Sequence, residues 1–173
     1  MKKTKKIALA AILSALGVII LLLGSIITVL DLTMVAIASL LIYLAVIEIG
    51  GGYPDAIWLI TGILSLLLLP DKFGALLYLL FGGIYPILKA MFERLHYIVT
   101  WILKLSYFNS ILALLILLSE YVFHLPDTGL GFRGGVFLLC NAVFLLYDLA
   151  ATNLVTLYLV KLRSLLRLKN YFQ

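Results

Sequence analysis

Charge is scarce in this chain of 173 residues: aspartate, glutamate, lysine and arginine together make up 12% of it. A water-soluble domain carries about a quarter charged residues. Here 65% of the sequence is hydrophobic and the mean hydropathy is +1.21. No water-soluble fold covers that much apolar surface, so the solvent is lipid. Cysteine is almost missing. Cys140 alone excludes an internal disulfide and a cysteine metal cluster, and its apolar neighbours predict a buried, inert thiol. Histidine occurs twice, as His96 and His124, on opposite sides of the membrane in the reading below. There is no H-E-x-x-H, no G-x-S-x-G and no P-loop. These absences lead us to expect a protein that is not an enzyme and holds no metal or cofactor.

What the sequence has in abundance is long apolar runs. A helix needs about 20 apolar residues to cross the hydrocarbon core. Turn and charge signals divide the chain into six helices, at about 7–29, 33–49, 54–69, 73–91, 96–123 and 133–164. The second and third are close to the short limit. The first follows the basic start "MKKTKK", yet its apolar stretch from Ile7 to Leu30 is longer than the h-region of a signal peptide. It is expected to stay as the first span. The fold class expected is therefore an all-α, polytopic membrane protein, one six-helix domain over residues 1–173.

Basic residues test the topology. Six spans put Lys2, Lys3, Lys5, Lys6, Lys89, Arg94, Lys161, Arg163, Arg167 and Lys169 on one side, and Lys72 and Arg133 on the other. That imbalance predicts a multi-pass membrane protein with both termini in the cytoplasm. The formal net charge of +5 does not predict nucleic-acid binding, because the basic residues gather at helix ends.

Within the first helix, "ALAAILSAL" at residues 8–16 stands out for its small side chains. At about 100° per residue, Leu9, Ile12, Leu13 and Leu16 share one arc. Ala8, Ala10, Ala11, Ser14, Ala15 and Gly17 fill the other, with Gly24 and Ser25 further along it. Lipid gives helices no hydrophobic drive to associate, and small faces matter because they let backbones approach closely. Two occupants of this face are open: another helix of the same chain, or a partner protein.

Ionisable groups inside a membrane are costly and face protein or water. Asp148 lies near the middle of the sixth helix, with Asn141 on roughly the same face and Asn153 off it. Asn109, on the fifth helix, is expected at similar depth, and Lys104 about one turn nearer the cytoplasm. Lys104 either snorkels to the interface or reaches Asp148. Asp148 either makes a structural hydrogen bond, orients a polar ligand or carries a proton. In the fourth helix, Gly82, Gly83 and Pro86 form an interruption that deprives the Gly82 carbonyl of its helical donor. Tyr78 and Tyr85 share a face there, facing either a pocket or the core. Lys89 and Glu93, four apart, can pair along the helix; Glu48 is expected at the interface. The loop "GLGFRG" fits G-x-G-x-x-G only formally, because no strand precedes it.

The chain resembles the substrate-binding S components of energy-coupling factor (ECF) transporters. Like them it is small, basic at its ends and six-helical, and it carries Ala11-Ile12-Leu13-Ser14-Ala15 where they carry Ala-x-x-x-Ala. The stretch "LPDKFGALLYLLFGGIYPILKAMFERL" is also similar to segments of other bacterial membrane proteins, which implies no activity. The ECF resemblance implies capture of a small-molecule substrate such as a vitamin, with uptake driven by a transmembrane coupling subunit and two cytoplasmic ATPases. It implies docking through Ala8, Ala11 and Ala15, and a pocket between the outer halves of helices 4 to 6. Tyr78, Asn109, Asn141 and Asp148 would line that pocket. Glu120, His124, Asp127 and Arg133, near the outer loop, would either touch the ligand or belong to a solvated loop. Rival readings are a non-transporting scaffold of the cell envelope, a lipid-modifying enzyme using "KAMFERLH", and a lone proton-coupled carrier working through Asp148.

Overall fold

The computed structural model describes residues 3–27, 30–121 and 134–162. Every regular element among them is helical: α1 (Lys3–Ile26), α2 (Asp31–Glu48), α3 (Tyr53–Leu68), α4 (Lys72–Leu77), α5 (Tyr85–Phe92), α6 (Tyr97–Tyr121) and α7 (Gly134–Leu157). A π-helical turn at Tyr78–Gly82 joins α4 to α5, so Lys72–Phe92 is one interrupted helix. A second such turn, Tyr158–Leu162, extends α7. These make six helical segments with ends within a few residues of those read from the sequence. Five are long and apolar enough to cross a membrane. The sixth, α3, has 16 residues, about 24 Å at 1.5 Å per residue, which is shorter than the ~30 Å hydrocarbon core. The protein is all-α and multi-span.

Two compact units make up the described chain, one running up to Arg94 and the other spanning Leu95–Leu162. In the first, α2 is central and touches α1, α3, α4, the π turn and α5. Its buried side is built from Val35, Ala38, Ser39, Ile42, Tyr43 and Ala45, at helical spacing. Local chemistry sets the helix ends. α2 stops at Gly50 and Gly51, which adopt left-handed φ values of 61° and 64° that cost glycine little. Pro54 opens α3, where its missing N–H is no loss. The Asp71 carboxylate caps α4 by accepting from Phe73 N at 3.1 Å.

The interruption between α4 and α5 follows from Pro86. Upstream of it the chain widens into a π turn, and Gly83 N donates to Tyr78 O at 2.7 Å. In an unbroken α-helix that N–H would have served Leu79 O. The freed Leu79 carbonyl accepts instead from Trp58 Nε1 on α3, at 3.0 Å. A backbone group released at membrane depth has to find such a donor within the protein. The carbonyl taken up by another helix is thus Leu79's, one turn before the Gly82 carbonyl that the sequence singled out.

Replacing Trp58 by phenylalanine keeps an aromatic ring but removes the donor, leaving a half-buried carbonyl without that partner. The cost expected is about 1–3 kcal/mol, read as a lower thermal unfolding midpoint of the full chain in detergent.

Candidate functional site

In α1, the buried residues Leu13, Ser14, Gly17, Val18, Leu21, Gly24 and Ser25 fall in one arc of about 140°. This arc packs on α2 and α3. Gly17 meets Thr61 of α3 so closely that an added Cβ would lie 2.9 Å from Thr61 Cγ2. Thr61 Oγ1 also donates to Ser14 O at 3.4 Å. Part of the small-residue face is therefore filled by the protein's own third helix, through Ser14 and Gly17. Ala8, Ala11 and Ala15 lie just outside the buried arc and remain exposed. Ile12, at 56% exposure, and Ile19 continue the open side. The line between covered and uncovered does not follow side-chain size: it cuts through both arcs seen in the sequence.

Tyr78 is 1% exposed. Tyr85, also buried, stacks on Phe81 with ring centroids 5.1 Å apart. Both tyrosines are core residues of the first unit. At the other end of α5, Lys89 and Glu93 form the expected i,i+4 pair at 3.7 Å. Lys89 is itself buried and lies 6.0 Å from the Tyr43 ring centroid.

The second unit gathers the remaining candidates on the seam between α6 and α7. Lys104 Nζ reaches both oxygens of Asp148, at 3.0 and 3.3 Å, and the two side chains are 4% and 3% exposed. The lysine does not snorkel; its ammonium also lies 5.3 Å from the Trp101 ring centroid. One turn along, Phe108 and Phe144 stack with centroids 4.4 Å apart. Beside them, Asn141 Nδ2 donates to Asn109 Oδ1 at 2.9 Å. Residues 104, 108 and 109 thus meet 148, 144 and 141, as an antiparallel pair requires. Asn109 pairs with Asn141, while Asp148, which the sequence placed at its depth, is taken by Lys104. A buried pair of this kind gains little over apolar packing, but losing one partner leaves a bare charge in low dielectric.

His124, Asp127 and Arg133 lie outside the described residues, as does the Glu120 side chain. Among the described residues no three histidine, cysteine or acidic side chains are grouped to hold a metal ion. Trp101 and Trp58 are the contributors that the sequence did not single out. For Trp58 the signal was there: an indole N–H in an apolar helix needs an acceptor. No family model, no curated protein and no solved structure matches this chain.

Lys104→Met or Asp148→Leu alone should destabilise the chain by about 3–5 kcal/mol, and the double variant should recover most of the loss. A double-mutant cycle on thermal or denaturant unfolding measures this; additive single losses would show that the two charges do not interact.

Proposed function

We propose that the chain is a membrane-embedded capture subunit for a small nutrient such as a vitamin, working with an ATPase-driven transmembrane partner in the manner of ECF S components. One observation carries the reading. After α2 and α3 have taken their share of α1, Ala8, Ala11 and Ala15 are still uncovered, on the half of the helix that begins with Lys3, Lys5 and Lys6. Small side chains on an open membrane helix allow a second helix to approach to backbone distance. In this reading both termini are cytoplasmic, as the bias of basic residues favours, and the coupling subunit sits on that alanine face in a bacterial plasma membrane. The two cytoplasmic ATPases reach this chain only through it.

The capture residues are Asn109 and Asn141 in the second unit, next along the seam from Asp148; Tyr78, packed in the core of the first unit, is not counted among them. Asp148 is already matched by Lys104, which favours a capture role over a lone proton carrier. The chain itself carries out no chemistry in this reading.

The test is co-purification. The full chain, expressed with the coupling subunit and ATPases of its own host, should hold them. Ala11→Trp should abolish that association and uptake, while leaving the thermal midpoint unchanged because Ala11 is exposed. An unmodified chain that retains neither partner nor ligand would end the proposal; one that retains partners but no ligand would be a scaffold.

A further inference from the structure

The polar groups of α6 and α7 are not equally used up. Lys104 and Asp148 neutralise each other. Ser110, Thr152 and Thr156 donate to carbonyls four residues earlier on their own helices, so they ask nothing of their surroundings. The amide pair differs. Asn141 Nδ2 spends its two hydrogens on Asn109 Oδ1 and on Phe137 O, both at 2.9 Å. The bond to Phe137 decides which end of the Asn141 amide is nitrogen. Two groups are then left over: Asn109 Nδ2 as a donor and Asn141 Oδ1 as an acceptor. Neither makes another hydrogen bond among the described residues.

Lipid tails cannot serve either group. Both asparagines are half-buried, and the leucines one turn to either side of Asn141, Leu138 and Leu145, stand out at 70% and 37% exposure. A helix laid across this surface would meet those leucines before the amides, which favours a small molecule as the occupant. The neighbouring layer of the seam is the Phe108–Phe144 stack, which suits an aromatic or apolar body. Lys104 and Asp148 are matched to each other, so an ionic ligand beside the amides would lack a spare counter-charge from that pair, and burying an ion without one is costly.

We propose that Asn109 and Asn141 form a binding site for a small neutral molecule with an apolar or aromatic body and a carboxamide or lactam edge. The ligand carbonyl accepts from Asn109 Nδ2, and its N–H donates to Asn141 Oδ1. The site rests on the capture reading only in treating this ligand as cargo.

The probes are benzamide, N,N-dimethylbenzamide, which has the acceptor without the donor, and benzoate, which carries charge. Equilibrium dialysis against the full chain in lipid nanodiscs should give saturable benzamide binding, with the other two at least about tenfold weaker, the discrimination expected when a hydrogen-bonding partner is missing or a charge is desolvated. Asn109→Leu and the milder Asn109→Ser should both erase the preference, whereas Ser110→Ala should keep it. Benzamide that binds no better than its dimethyl analogue, or equally well to both Asn109 variants, would overturn the site. So would a wild-type dimer that Asn141→Leu turns monomeric in sedimentation, since the rung would then join two copies. Ala11→Trp should leave benzamide binding intact, and Asn109→Ser should leave co-purification of the coupling subunit intact. An unmodified chain that holds no coupling subunit yet keeps the benzamide preference would therefore refute the capture reading and spare the site.

Discussion

Hydrocarbon supplies no hydrogen bonds, and that scarcity governs where this chain can place its few polar groups. Two devices answer it. In the first unit, Trp58 on α3 supplies the donor for the Leu79 carbonyl that the π turn releases. In the second, Lys104 and Asp148 bring opposite charges together on neighbouring helices. Each device ties one helix to another at a single register, so the cost of a polar group at depth becomes the reason for a particular pairing. Among the described residues, Ser14 Oγ and Ser65 Oγ are buried hydroxyls without a hydrogen-bond partner. Both are on the helices that make the α1–α3 contact, where small side chains matter more for close approach than for polarity.

Helix association in lipid depends on contact distance more than on apolarity. Gly17 shows this inside the protein, since Thr61 occupies the space where a side chain would be. Ala8, Ala11 and Ala15 offer comparable thinness on the open side of the same helix. One helix thus uses small residues twice: inward, for the fold, and outward, for whatever approaches. The proposed function depends on the outward set, and the inward set would exist in any bundle.

Asn109, Phe108 and Lys104 on α6 face Asn141, Phe144 and Asp148 on α7 in a regular antiparallel series. Charge, ring and amide follow one another along the seam. The charges and the rings are matched across the seam, while the amides retain one donor and one acceptor. A pocket reading based on polarity alone would have favoured Asp148. The geometry shifts the interest to the asparagines, because a matched charge has little left to offer a ligand.

Several features were settled by the sequence alone: lipid as solvent, an all-helical fold, six helical segments with ends close to those observed, and an interruption near Pro86. These follow from composition and from runs of apolar residues, which are local properties. Pairings were another matter. That Lys104 reaches Asp148 instead of snorkelling, that Asn109 meets Asn141, that Trp58 serves Leu79, and that Ser14 and Gly17 turn inward while Ala11 and Ala15 do not, all depend on how each helix is rotated about its axis and how closely it meets its neighbour. Only the tertiary structure decides those quantities, because a nearly uniform apolar helix carries almost no amphipathic signal to say which side faces protein and which faces lipid.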